Sequence, residues 1–452
     1  MPETPVPTLL RDTAERAIRY LDGLDSRPVQ PTPAAVAALQ GFHEPMPERP
    51  TDPAKVIELL DRLGSPATMA MAGPRFFGFV IGGALPAPLA ANWLASAWDQ
   101  NTGLFSPTPG TATLEAIALE WMVDVLGLPK GTAGSFVTGA TVANMTALAA
   151  ARHAVLRRAG WNVEADGLYG APPVSVIVGG EVHPSVRKTL GILGLGRNRV
   201  VTIPVDTQGR MRHTELPKIT GPTILLTQAG NVNTGSFDDI NAICDRVAGT
   251  GTWVHVDGAF GLWARASREL SHLVTGLEKA DSWATDAHKW LNVPYDSGIA
   301  FVKDASPLRS AMAITAEYLP TDEGDRIPSD FTPELSRRAR GVDVWAALKS
   351  LGRQGLSDMI EQGCRQARLF ASELTGAGFE ILNDVVLNQV LVSFGAPEKT
   401  ERVITELQSE GTFWAGRTVW QGRTAMRISV SCWATTDDDV HRCVAAMKRI
   451  AA

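Results

Sequence analysis

One lysine and one aspartate carry most of the chemical information in this chain. Lys289 stands in His288-Lys289-Trp290, about thirty residues after Asp257 in Val256-Asp257-Gly258-Ala259, and each closes an apolar run. A lysine in an apolar setting, which favours the neutral amine, can form a Schiff base with a carbonyl group. The bland reading of Lys289 is a surface side chain with its stem laid along apolar neighbours. A buried aspartate needs a cationic partner. A structural arginine is the ordinary partner, and the protonated nitrogen of a pyridine ring is another. Taken together, the pair points to pyridoxal 5'-phosphate (PLP), bound by Lys289 and kept an electron sink by Asp257.

Upstream residues extend that set. Phe136-Val137-Thr138-Gly139-Ala140-Thr141 runs from a strand into a helix. Gly139 and Ala140 let backbone approach an anion, the helix start offers free N–H groups, and Thr141 adds a hydroxyl. A glycine at such a turn is often mere geometry, so its weight comes from lying upstream of the lysine. His183, in Glu181-Val182-His183-Pro184-Ser185, follows the next strand. Its ring could lie flat on a planar cofactor, although a cap on its own helix explains it equally well. Gly258 and Ala259 are small enough to let a ring rest on them.

Alternating elements must position these residues. Short apolar runs at 135–138, 173–178, 200–204, 223–227, 252–256, 282–285 and 299–302 alternate with helical segments such as 142–156. Such alternation predicts an α/β fold, a mostly parallel central sheet with helices on both faces. Ligands of open α/β sheets sit beyond the carboxyl ends of the strands, where the candidates fall. Residues 1–65 read as an N-terminal helical arm with proline-rich joints, and 66–330 as the large α/β domain. Residues 331–452 read as a smaller C-terminal α+β domain, with helices near 333–351, 356–375, 400–410 and 436–451. Its expected strands are 379–382, 390–394 and 426–430.

Bulk properties exclude other classes. The 452 residues are 44% hydrophobic and 20% charged, with a formal net charge of −6 and no long basic run, which disfavours nucleic acid and acidic membranes as partners. Phe79–Trp98 is uncharged and long enough to span a bilayer, but Gly82, Gly83, Pro86, Pro88 and Asn92 mark a buried loop and helix instead. The start of the chain lacks a secretory pattern. Cys244, Cys364, Cys432 and Cys443 are scattered, without metal-type spacing, so no metal is expected and a reduced cytoplasmic protein is.

Asp286-Ala287-His288-Lys289-Trp290, with Asp257 and His183 upstream, resembles the group II PLP-dependent amino-acid decarboxylases, of aspartate aminotransferase-like fold (fold type I). The likeness runs from about Pro74-Arg75-Phe76-Phe77 to Arg427-Ile428-Ser429. It implies a homodimer with sites at the interface. By position it implies phosphate contacts at Gly139, Ala140 and Thr141, ring stacking by His183 and Ala259, and ring-nitrogen binding by Asp257. It also implies covalent attachment at Lys289, with His288 beside the cofactor phosphate or the substrate carboxylate. Phe76–Phe79 and the surroundings of Phe105 resemble the segments that shape the family's substrate pocket.

Two departures stand out. The loop about Thr321–Thr332 lacks the tyrosine that reprotonates the α-carbon in family members acting on aromatic amino acids. Phe331 is its only aromatic residue, and Tyr318 lies just before it. In the family, phenylalanine in place of that tyrosine accompanies oxidative, aldehyde-forming decarboxylation. Val232, in Gly230-Asn231-Val232-Asn233-Thr234-Gly235, stands where many members have threonine.

The leading expectation is decarboxylation of an L-amino acid to the amine and CO2, with Lys289, His183 and His288 as catalytic residues. Phe79 and Phe105 lean the substrate towards an apolar or aromatic side chain. Aldehyde formation, motivated by Phe331, is the alternative. Transamination or aldol-type chemistry is another, motivated by Arg427 as a bidentate carboxylate grip or, more blandly, a structural ion pair.

Overall fold

The computed structural model describes residues 4–314 and 326–452. Seven strands form the large sheet: β1 (Ala133–Val137), β2 (Ser175–Gly179), β3 (Val200–Ile203), β4 (Thr223–Gln228), β5 (Trp253–Asp257), β6 (Ser282–Asp286) and β7 (Gly298–Val302). Their order is β1-β7-β6-β5-β4-β2-β3. Strands β6, β5, β4, β2 and β3 run parallel, whereas β7 is antiparallel to both β1 and β6. All seven expected runs are strands, and the reason is visible in their burial. Strands β5, β6 and β7 are buried at every position, so none shows the apolar–polar alternation of a half-exposed strand, and β7 is a continuous apolar run.

The helix Ala140–Arg158 packs against β5, β6 and β7. Its small residues Ala143, Ala147, Ala150 and Ala151 are fully buried and let it lie close to the sheet. Gly298, at the start of β7, has a specific task. A Cβ there would stand 2.4 Å from Gly139 Cα, so only glycine lets β7 pass under the turn that opens this helix.

The second sheet consists of β8 (Glu380–Ile381), β9 (Gln389–Ser393), β10 (Gly416–Trp420) and β11 (Arg423–Ser429), in the order β10-β11-β9-β8. Strand β10 is an edge strand absent from the sequence expectation. Its sequence Gly-Arg-Thr-Val-Trp is only part-buried and carries a weak apolar signal. The two helices expected before this sheet lie within Arg340–Gly376 and meet at a kink at Gly352, which adopts φ 60°. Its first part packs on the helices Pro86–Trp98 and Pro109–Val125. The Phe79–Trp98 stretch is a loop and helix, as its breakers require. No helix among the described residues is long and apolar enough to cross a membrane.

The arm holds the helices Val6–Asp22, Pro33–Ala38 and Pro53–Ala67. Its apolar anchor is small: Leu24, Val29 and Ala70 around Phe76. It is tied to the body by Val29 N–H donating to Gly411 O.

Candidate active site

The parallel strands end around a cavity of about 680 Å³. Gly139, Ala140 and Thr141 enter it after β1, and His183 after β2. Asp257 and Ala259 enter after β5, and His288 and Lys289 after β6. Arg427, from β11 of the other sheet, closes one side. The sequence candidates therefore meet in one place.

Asp257 ends β5 and is 7% exposed. Among the described residues no lysine, arginine or histidine nitrogen lies within ion-pair distance of its carboxylate. Asn144 Nδ2 donates to Oδ2 at 3.3 Å and Ala259 N–H donates to Oδ1 at 3.3 Å. Burial pushes its pKa up, and the nearby charges of His183 and Lys289 oppose that shift. The arginine partner of the ordinary reading is thus missing, and the carboxylate faces a cavity that can take a cation.

Lys289 does not sit in the apolar setting expected of it. Its Nζ lies 3.1 Å from Asp286 Oδ2. Asp286 Oδ1 accepts the Ala140 N–H at 2.6 Å and lies 3.6 Å from His288 Nε2. Asp286 is 2% exposed and was legible only as part of a motif, yet it touches the lysine, the helix start and the histidine together.

Ser297 N–H donates to His288 Nδ1 at 3.1 Å, so neutral His288 carries its proton on Nε2. His183 Nδ1 lies 2.7 Å from Ser185 Oγ and 3.3 Å from the Ser185 N–H. Burial lowers both pKa values; Asp286 opposes this at His288, as Asp257 does at His183. His183 caps the helix Pro184–Ile192 and also lines the cavity. The Tyr295 ring stacks on His288 at 4.2 Å.

Arg427 makes no ion pair among the described residues, which removes its ordinary reading. Its Nη1 lies 3.5 Å from Asn233 Oδ1, and Thr418 Oγ1 donates to that same oxygen at 2.8 Å. Burial pulls the Arg427 pKa below the usual guanidinium range. Asn233, Thr418 and Glu181, all lining the cavity, were not foreseen. Thr418 lies on the unexpected strand β10, and Asn233 and Glu181 sit in turns with no motif to single them out. Val232 lines the cavity as a side chain without hydrogen-bonding groups, so the threonine contact expected in the family has no counterpart here.

Several candidates lie elsewhere. Phe79 lines the mouth, in a left-handed conformation (φ 55°), with its ring stacked 5.4 Å from that of Trp414. Phe76 and Phe77 are core residues, each 1% exposed. Phe105 is half-buried and does not line the cavity within the chain. Phe331 does not line it either. Its ring lies under the Arg326 guanidinium at 4.5 Å and packs towards the cluster containing Val302 and Leu308. Tyr318 and residues 321–325 of the loop lie outside the described residues. Gly258 does not face the cavity, since a Cβ there would meet Leu262 Cγ at 2.4 Å.

The groups present fit PLP. An unpaired buried carboxylate matches a ring nitrogen, a lysine matches an aldehyde, and a helix start with Gly139 and Thr141 matches a phosphate.

Comparison with known proteins agrees. The model of the pyridoxal-dependent decarboxylase conserved domain matches residues 37–396. An aromatic-L-amino-acid decarboxylase of Bacillus atrophaeus is 28% identical over 76% of this chain and 72% of its own length. An L-2,4-diaminobutyrate decarboxylase of Rhizobium meliloti (strain 1021) is 28% identical over 89% of this chain and 83% of its own. In fold, the chain matches the crystal structure of Oryza sativa TDC with PLP and tryptamine at a TM-score of 0.91 and 22% identity, covering 100% of this chain and 99% of that one. Mouse CSAD matches at 0.90 and 22% identity, over 98% of both chains. The chain belongs to the pyridoxal-dependent decarboxylase family and is a PLP-dependent amino-acid carboxy-lyase.

Proposed function

We propose that the substrate is an L-amino acid with an apolar or aromatic side chain, converted to its amine and CO2. The observation that carries the site assignment is Asp257: a buried carboxylate without a cationic side-chain partner among the described residues, sharing a cavity with Lys289, His183 and Arg427. Bound PLP supplies the electron sink for the pair left on the α-carbon when CO2 departs. In this reading Asp257 binds the ring nitrogen, Lys289 attaches the cofactor, and Gly139, Ala140 and Thr141 hold its phosphate. His183 covers one ring face and Ala259 the other, while His288 Nε2–H faces the phosphate side beside Asp286. Arg427, without an acidic partner among the described residues, takes the substrate carboxylate by two parallel N–H bonds, and decarboxylation rather than transamination requires that it hold that carboxylate out of the ring plane.

Lys289, ion-paired with Asp286, is a better proton donor to the α-carbon than either histidine. Burial lowers the pKa values of His183 and His288, which disfavours their charged, acidic forms, whereas the Lys289 ammonium has an anionic partner in Asp286. Phe79 and Val80 at the cavity mouth, with Phe260 further in, support an apolar side chain. The relatives named for aromatic amino acids and for tryptophan point the same way.

We also infer a homodimer. Trp93, Leu94 and Trp98 are exposed on one helix, beside a 510 Å³ apolar groove lined by Leu21, Leu89 and Trp433. A cytoplasmic location is supported by four free, buried cysteines.

The test is mass spectrometry of products from the cofactor-loaded protein incubated in air with each common L-amino acid. An aromatic amine one CO2 lighter than its substrate is expected. An aldehyde with peroxide, or turnover confined to charged side chains, would overturn this reading.

A further inference from the structure

Behind Asp257, on the side away from the cavity, four buried side chains make an unbroken hydrogen-bonded line. Trp253 Nε1 donates to Ser282 Oγ at 2.7 Å, and Ser282 Oγ meets His255 Nδ1 at 2.8 Å. His255 Nε2 meets Asn144 Oδ1 at 2.7 Å, and Asn144 Nδ2 donates to Asp257 Oδ2 at 3.3 Å. Trp253 is 2% exposed, and the other three are fully buried. The fold supplies them simply. Trp253, His255 and Asp257 alternate along β5, Ser282 pairs with His255 across to β6, and Asn144 lies one turn into the helix Ala140–Arg158.

The two ends fix the direction of every bond. An indole N–H can only donate, and an ionised carboxylate can only accept. Asn144 must therefore turn its amide nitrogen to Asp257 and its oxygen to His255, so His255 Nε2 carries a proton. Burial drives the His255 pKa down to about 3, and the ring is neutral. Its only ring proton is then on Nε2, so Nδ1 accepts from the Ser282 hydroxyl, while the Ser282 oxygen accepts from Trp253. All four donors point towards Asp257.

We propose that Trp253, Ser282, His255 and Asn144 form a positioning line that keeps Asp257 charged and aimed, so that its grip on the cofactor's ring nitrogen is set from inside the core. Aligned hydrogen bonds polarise one another, so the far end of the line is felt at the carboxylate. The proposal rests on Asp257 being the partner of that nitrogen. A network that merely satisfied buried polar groups would hold the fold without affecting this grip.

The test compares two cofactors: PLP and its analogue with C–H in place of the ring nitrogen. Their dissociation constants are measured on the wild-type protein, Ser282→Ala and Ser282→Thr. The phosphate and Lys289 contacts are common to both cofactors, so the ratio isolates the ring nitrogen. The wild type should prefer PLP. Ser282→Ala, whose change lies three residues along the line from Asp257, beyond Asn144 and His255, should narrow that preference at least about threefold, and Ser282→Thr should restore it. An unchanged ratio in Ser282→Ala, with preference intact in the wild type, overturns the line. Absence of preference in the wild type removes Asp257 as the nitrogen's partner and the proposal with it. If Ser282→Ala does not fold, the wild-type tautomer decides by neutron diffraction: a proton on His255 Nε2 supports the line, and one on Nδ1 overturns it.

Discussion

Asp286 Oδ2 lies 3.1 Å from Lys289 Nζ, while the other oxygen of the same carboxylate holds the N–H of Ala140. The lysine proposed to attach the cofactor and the helix start proposed for its phosphate are therefore both engaged by one side chain. A phosphate reaching Ala140 must displace that carboxylate or share the space with it, and two anions at a few ångströms repel by several kcal/mol at an effective dielectric of about 20. Asp286→Asn should raise the affinity for PLP relative to unphosphorylated pyridoxal by about tenfold or more. Absorbance titration with both compounds checks it, and an equal effect on both would show that Asp286 does not face the phosphate.

Lys289→Ala should abolish turnover and covalent attachment together. Borohydride reduction of the cofactor-loaded wild type should add the cofactor's mass to the peptide containing Lys289, and the variant should show no added mass. A labelled peptide elsewhere would move the attachment site.

Arg427→Met should raise KM for the amino acid about tenfold or more, the scale of a lost charge-assisted pair, and leave cofactor affinity unchanged. Steady-state kinetics beside a cofactor titration separates these effects. A loss of cofactor binding instead would place Arg427 on the phosphate.

Phe331→Tyr should leave the product unchanged, because Phe331 packs under Arg326 and does not line the cavity within the chain. Appearance of a new product, amine or aldehyde, in the variant would return Phe331 to the site.

The pH dependence of stability has a definite sign at His255. Its pKa is about 3 in the fold and about 6.5 in the unfolded chain. Between these values the unfolded chain binds the extra proton. The contribution is therefore complete above pH 6.5 and is lost as pH falls, by up to about 1.4 kcal/mol per pH unit. Asp238, raised to about 6, acts in the opposite sense, but it is common to wild type and variant. Thermal unfolding of the cofactor-free protein from pH 7 to pH 4.5 should show a shallower decline in His255→Gln than in wild type. Parallel slopes would mean that His255 is not buried neutral.

The large sheet was legible because its strands are short, β-branched or aromatic-rich runs set between helical segments. Lys289, Asp257 and His183 were legible because each stands beside a strand end in a recognisable local pattern. What stayed hidden depends on contacts between distant segments. Asn144 and His255 are 111 residues apart and meet only when the helix lies on the sheet. One signal was available: Trp253, His255 and Asp257 alternate on a single strand, so two polar groups accompany the carboxylate on one face. Phe105 and Phe331 do not line the cavity within the chain, and an aromatic residue looks the same in sequence whether it lines a pocket or packs elsewhere.

Asn233, in the turn after β4, accepts from Thr418 of β10 and lies near Arg427 of β11, so the two sheets are stitched together at the rim of the cavity. An amino acid bound by its carboxylate at Arg427 and by its amine at the lysine end would act as a second stitch, running through the substrate itself. In that reading decarboxylation would cut the stitch at the Arg427 end, and the product amine would be held at the lysine end alone.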